Sequence, residues 1–118
     1  MLLRIDPSSP VSLADQIAAG ARRAIADGKV RANEHLPPAR ELASGLGVNL
    51  HTVLRAYAIL RDEGLIDLRR GRGAVVSPGA RPGHAELATK INDVVRDARR
   101  LGLSSQEVAG LLRKAFSR

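Results

Sequence analysis

Three arginines and two glycines stand together in the segment Arg69 to Gly73, which is named here the arginine-glycine segment. Guanidinium groups are attracted by the concentrated negative potential of a DNA minor groove, and glycines let a backbone approach the groove closely. The segment could therefore lie along or in such a groove. Charge runs are also common on surfaces that only face solvent, so the interpretation depends on the elements on either side.

The sequence contains no comparable set of residues for catalysis or for metal binding. His35, His51 and His84 lie far apart, and no carboxylate pair accompanies them at metal-ligand spacing. The chain has no cysteine, which excludes a thiolate metal site and a cysteine nucleophile. No serine has the context of a catalytic nucleophile, and Gly71-Arg72-Gly73 lacks the further glycine and the lysine of a phosphate-binding loop. We expect neither an enzyme nor a metal or cofactor.

The composition is that of a folded protein that meets a polyanion. The 118 residues allow one compact domain with a short appendage, and the formal net charge is +7. Only Tyr57 and Phe116 are aromatic, so base stacking on aromatic platforms is not expected. No apolar run is long enough to span a membrane and Met1 to Asp6 does not begin a signal peptide, so we expect a cytoplasmic protein.

Apolar periodicity predicts three helices in the first half of the chain. Over residues 11–27 the apolar residues recur at three- and four-residue steps, and Ser12 can cap this helix. A short second helix is predicted over 39–46. The third helix, over 49–63, has Asn49 as its expected N-cap.

The second and third helices have the spacing of a helix-turn-helix. A small residue where the helices touch, a glycine in the turn and an aliphatic residue beyond it allow a tight crossing, and Ala43, Gly47 and Val53 occupy these positions. Pro37-Pro38 closes the preceding loop and suits the entry into the second helix. The expected aliphatic wedge is Leu42, Leu46, Val48, Ala56 and Leu60. An ordinary helical hairpin is the alternative for this segment alone.

After the third helix the pattern changes to short β-prone runs. Leu65–Leu68 and Ala74–Ser77 flank the arginine-glycine segment, which predicts a β-hairpin in the position of the wing of a winged helix. A linker rich in proline and glycine follows over 77–83. Two further helices are predicted over 85–101 and 104–116.

The last two helices are apolar on one side, and a two-helix hairpin cannot bury both faces alone. We expect them to pack against a second copy, as helical hairpins do in a four-helix dimer. The residues expected at that interface are Leu87, Ile91, Val94, Leu101, Val108, Leu111, Leu112 and Phe116. The predicted fold is thus mainly α with a small β-hairpin: a winged helix-turn-helix over 1–77 and a helical dimerisation segment over 78–118.

A string of short motifs runs through the predicted helix-turn-helix and hairpin. It comprises Leu36–Ala43, Leu46–Asn49, Thr52-Val53, Arg55–Tyr57, Leu60, Glu63–Ile66 and Arg70–Gly73. Over roughly residues 10–77 this string resembles the DNA-binding domain of the GntR family of bacterial repressors. The short helical tail, with Leu101–Ser104 before its last helix, resembles the YtrA subfamily.

The resemblance implies which residues reach DNA. It implies that Arg40, at the start of the second helix, contacts DNA and that the third helix enters the major groove. Arginine suits guanine or phosphate, and side chains on the first turns of such a helix approach bases or backbone. The expected contacts from the helices are Arg40, Asn49, His51, Thr52 and Arg55, and those from the wing are Arg70, Gly71, Arg72 and Gly73.

Two positions depart from the family's pattern, which makes its base contacts only partly transferable. Leu50 stands where arginine or proline is common, and His51 where asparagine or threonine is commoner. Leu50 could touch a thymine methyl group, or it could pack or face solvent. Thr52 has a comparable alternative, as a capping or packing residue.

The predicted function is sequence-specific binding to double-stranded DNA by a homodimeric transcriptional regulator, a repressor on a roughly palindromic operator. A small-molecule effector at the dimer interface is a further possible partner, of unknown chemistry. The alternatives are a winged helix used as a protein-interaction module and a nucleoid-type protein with little sequence preference. Salt-dependent binding to duplex DNA separates the first alternative, and the ratio of specific to random-DNA affinity separates the second.

Overall fold

The computed structural model describes Met1 and residues 3–118, and it confirms a mainly helical fold with one small hairpin. In chain order the elements are α1 (Leu13–Ala26), α2 (Ala39–Leu46), α3 (Leu50–Asp62), β1 (Ile66–Arg69), β2 (Gly73–Val76), α4 (Pro82–Leu101) and α5 (Ser105–Phe116). The chain forms two compact units, Met1–Ala88 and Thr89–Arg118. The expected boundary after residue 77 separates a DNA-binding part from a dimerisation part. This functional boundary stays a prediction.

Helix α1 supplies much of the core of the first unit. Its cap is confirmed, because the Ser12 hydroxyl accepts a hydrogen bond from the Asp15 N–H at 3.1 Å. The apolar face packs against α3. Ile17 and Ile25 are fully buried there. The burial of this face, rather than intrinsic propensity, supplies most of the stability of such a helix.

The helix-turn-helix has the predicted contacts. Ala43 and Val53 are buried, and Gly47 ends α2 in the left-handed conformation with φ 69°. A side chain would strain that backbone, which explains glycine in the turn. The predicted bounds of α2 are confirmed, with Pro38 as the N-cap and Ala39 as the first helical residue. The Tyr57 hydroxyl donates to the Pro37 carbonyl at 2.6 Å and so ties α3 to the segment before α2.

The hairpin is antiparallel with Ile66 opposite Val76 and Arg69 opposite Gly73, one residue from the predicted strand bounds. Strand β2 also pairs on its other side with the segment between α1 and α2. The Leu36 N–H donates to the Ala74 carbonyl at 2.9 Å, and the Val76 N–H donates to the Glu34 carbonyl at 2.8 Å. The segment between α1 and α2 therefore holds the second strand of the wing in place.

Helix α4 begins at Pro82, three residues before the predicted start at Ala85. The proline occupies the first helical position, where its missing N–H costs nothing. The His84 ring nitrogen Nδ1 accepts a hydrogen bond from the Arg81 N–H at 3.0 Å, which satisfies a backbone donor at this helix start. The linker is therefore shorter than predicted, because Pro82 and Gly83 belong to α4.

The second unit contains the rest of α4 and all of α5. Ser104 and Glu107 form a reciprocal capping box at the start of α5, with hydrogen bonds of 3.1 and 3.0 Å. Ser104 is thus the cap rather than the first residue of the predicted helix. In the described part of the chain, no helix is both long and apolar enough to cross a membrane.

Candidate nucleic-acid interface

Helix α3 turns one face to the core and the opposite face to solvent. Val53, Ala56, Tyr57 and Leu60 are buried, as the periodicity predicts. The outward positions follow at helical spacing and carry His51, Leu54 and Arg55, all exposed. This face has the composition of a groove-binding surface, with hydrogen-bonding side chains next to an apolar one.

The first turn of α3 restricts what Asn49 can contact. Its side-chain oxygen Oδ1 caps the helix by accepting a hydrogen bond from the His51 N–H at 2.8 Å. The two amide donors on Nδ2 remain for another acceptor, such as a phosphate oxygen. Thr52 and Leu50 are half-buried on the same turn.

The far end of α3 is held by an ion pair that links it to α1. The Arg22 guanidinium binds the Glu63 carboxylate in a bidentate manner, with N–O distances of 2.7 and 2.8 Å. Arg22 is 3% exposed, so the pair is largely withdrawn from water. A fork-to-fork pair fixes orientation as well as distance. The pair thus joins α1 to the C-terminal cap of α3.

The wing presents two arginines at its tip. The turn is closed by the Arg72 N–H, which donates to the Arg69 carbonyl at 3.0 Å, and Gly71 at its third position has φ 76°. A positive φ at this position is what a type II turn requires, and glycine meets it without strain. Arg70 and Arg72 are both exposed at this turn.

Pairing with carboxylates separates the arginines of the first unit into two groups. Arg69 is bound to Asp67 at 3.4 Å, and Arg61 to Asp62 at 3.1 Å. Within the described residues, the guanidinium groups of a second set make neither an ion pair nor a hydrogen bond. These unpaired arginines, all exposed, are Arg4, Arg31, Arg40, Arg55, Arg70, Arg72 and Arg81, and four of them, Arg40, Arg55, Arg70 and Arg72, lie on α2, α3 and the wing.

The four unpaired arginines of α2, α3 and the wing lie on elements that pack against one another, since α2 contacts α3 and α3 contacts β1. All the helical and wing positions expected from the sequence are therefore carried by one compact unit. Four exposed guanidinium groups without an internal partner can neutralise external phosphates at no cost in broken ion pairs. Their assignment to DNA stays a prediction.

The expected dimer residues are mostly exposed, which leaves an apolar surface on α4 and α5. Leu87, Ile91, Val94, Leu101, Leu111, Leu112 and Phe116 are exposed, and Val108 is half-buried. Within residues 3–118 and Met1, no group of three or more histidine or carboxylate side chains could hold a metal ion.

Sequence reasoning missed Leu54 and the pair of Arg22 with Glu63. The periodicity that identifies the buried stripe of α3 also leaves Leu54 outside it, so that signal was available. The ion pair joins residues 41 positions apart, which no local pattern can predict.

Comparison with known proteins identifies the family. The sequence profile described as "Bacterial regulatory proteins, gntR family" matches residues 13–76, which is more than half of the chain. The HTH-type transcriptional repressor YtrA of Bacillus subtilis is 29% identical over 112 residues, covering 91% of this chain and 86% of that protein. These relatives are transcription regulators, which confirms the expectation that the chain is not an enzyme.

Solved structures of known proteins agree in fold with this chain. YtrA from Sulfolobus acidocaldarius, described as a GntR-family transcription factor, matches with a TM-score of 0.63 and 32% identity, covering 98% of this chain and 97% of that one. The DNA-binding domain of AraR in complex with operator ORX1 matches with a TM-score of 0.57 and 26% identity, covering 64% of this chain and 96% of that one. The chain therefore belongs to the GntR family of bacterial regulatory proteins and is a winged helix-turn-helix, DNA-binding transcription regulator.

Proposed function

We propose that two copies of this chain bind a roughly two-fold symmetric operator in the cytoplasm and repress transcription by occupying a promoter. Residues 1–77 bind the duplex and residues 78–118 hold the two copies together. The observation that carries the proposal is the set of exposed, unpaired arginines on α2, α3 and the wing. The similar AraR domain, which is named as an operator complex, supports the mode of binding.

Each part of the unit has a distinct role in this proposal. Helix α3 enters the major groove, where His51 and Arg55 meet base edges or phosphates and the Asn49 amide donates to the backbone. Arg40 binds from the start of α2. Arg70 and Arg72 lie along the minor groove, and Gly71 and Gly73, at φ 76° and 70°, allow the close approach.

Dimerisation is supported by the apolar surface on α4 and α5. Seven of the eight expected interface residues are exposed large hydrophobics in the isolated chain. So many exposed large hydrophobic residues on two helices of a small protein favour an interaction site. A second copy of the same hairpin offers a matching surface, and a two-fold dimer presents two α3 helices to two half-sites. The repressor named YtrA, similar over 91% of this chain, supports repression as the outcome.

Selection of bound duplexes from a random library tests the proposal. We expect recovered sites with approximate two-fold symmetry and an affinity roughly 10³-fold or more above random DNA at physiological salt. Equal affinity for selected and random duplexes would favour a nucleoid-type protein. A chain that binds no duplex at any salt concentration would favour a protein-interaction module.

A further inference from the structure

Leu54 is a large apolar side chain on the outer face of α3. It is 45% exposed, and the large exposed hydrophobic residues described in the first unit are otherwise Leu68 on β1 and Leu87 on α4. Single exposed leucines are ordinary on protein surfaces. What distinguishes Leu54 is its position on the outward side of α3, one turn after His51 and next to Arg55.

The chemistry of Leu54 suits one feature of the major groove. Among the four bases only thymine presents a methyl group there, and apolar side chains recognise it by excluding water from both surfaces. A leucine can neither donate nor accept a hydrogen bond, so it cannot read the polar edges. The neighbouring His51 and Arg55 can read those edges.

We propose that Leu54 is a specificity-determining residue that contacts the C5 methyl group of a thymine in each operator half-site. This inference rests on the proposed function, because it requires α3 to lie in the major groove. It adds a base preference that the polar residues of α3 do not supply.

Replacement of thymine by deoxyuridine tests the contact, because it removes only the methyl group. Each thymine of the selected operator is replaced in turn, in both half-sites, and affinity is measured by fluorescence anisotropy for the wild type and for Leu54→Ala. At one position we expect the wild type to lose about 3- to 5-fold per contact, as for one buried methyl group. Leu54→Ala is expected to bind the two duplexes equally.

Leu68→Ala is the matched control, since Leu68 is 43% exposed in the same unit but lies on β1. It should keep the full deoxyuridine effect. A wild type that is insensitive to deoxyuridine at every position would overturn the thymine contact alone, as would a Leu54→Ala variant that keeps the effect. A wild type that selects no duplex at all would overturn the proposed function as well. Circular dichroism of each variant verifies that the fold is kept.

Discussion

Arg69 and Arg70 are neighbours in the sequence but differ in what their guanidinium groups can still bind. Arg69 is engaged by Asp67, which also accepts a hydrogen bond from the Ser77 hydroxyl at 3.0 Å. Arg70 is exposed and has no such partner among the described residues. A phosphate that binds Arg69 must compete with an existing carboxylate, whereas one that binds Arg70 displaces only water. The amino-acid composition alone cannot distinguish these two arginines.

Arg40→Ala should weaken operator binding by roughly 1–3 kcal/mol, because a guanidinium contact to a base or phosphate is lost. Anisotropy titration against the selected duplex measures the change. Arg23→Ala is the control, since Arg23 is exposed but paired with Asp27 at 3.2 Å outside the expected interface. Equal affinity of Arg40→Ala and wild type would remove Arg40 from the interface.

The burial of Tyr57 predicts that the stability of the protein depends on pH. Burial raises the pKa of Tyr57 to about 12, above its ordinary value of 10.0. A raised pKa means that the stability is complete below pH 10 and is lost as the pH rises from about 10 through about 12. A difference of about 2 between the two pKa values corresponds to a loss of about 3 kcal/mol.

Denaturant titrations at pH 9 and above should therefore show a steeper loss of unfolding free energy for the wild type than for Tyr57→Phe, which has no ionisable group at this position. Tyr57 is the single tyrosine of the chain, so tyrosinate absorbance reports its ionisation directly. Ionisation of the folded protein near pH 10 would contradict the burial argument.

At the scale of the elements, the pair of Arg22 with Glu63 should be a strong coupling between α1 and α3. Removal of one partner by Arg22→Met or Glu63→Leu leaves the other charge largely buried, so each single change should cost about 3–5 kcal/mol. The double variant should lose much less than the sum of the two. Chemical denaturation of the four proteins measures this coupling.

Arg61→Ala is the comparison, because the pair of Arg61 with Asp62 is exposed and should contribute less than about 1 kcal/mol. Strictly additive losses for Arg22 and Glu63 would show that the pair does not join the helices.

The helices and the helix-turn-helix could be predicted because their signals are local. Caps such as Ser12 and Asn49 and the 3.6-residue periodicity lie within one segment, and the structure confirms them. The start of α4 was predicted late because Pro82 was assigned to the linker, although proline favours the first helical position. A proline near a predicted helix start can therefore belong either to the preceding linker or to the first helical position.

Non-local pairing accounts for what could not be predicted. Glu34 and Leu36 pair with β2 through backbone groups, which leave no signature in side-chain type. The outer face of α3 was predicted for His51 and Arg55, whereas Leu54 was passed over because apolar residues are ordinarily assigned to the core. A position outside the buried stripe is the better criterion for a surface residue.

At the scale of the whole molecule, the proposed dimer would cover the exposed apolar residues of α4 and α5. Val94→Asp or Leu111→Asp should give monomers in analytical ultracentrifugation, because a carboxylate would be buried without a counter-charge in the dimer. Gln106→Asp, which places the same group on a polar position of α5, should leave the dimer intact. Dimers in both apolar-site variants would contradict the assignment of this surface.

The account as a whole depends on the unpaired arginines of α2, α3 and the wing forming the surface that binds DNA. The most direct measurement is the salt dependence of affinity for the selected duplex, compared between the wild type and a variant with Arg40, Arg55, Arg70 and Arg72 all changed to alanine. We predict that the slope of log affinity against log salt becomes less steep by about 3 to 4 per subunit. Alanine at the paired Arg23 and Arg61 should leave it unchanged. An equal slope for the quadruple variant and the wild type would contradict the proposed interface.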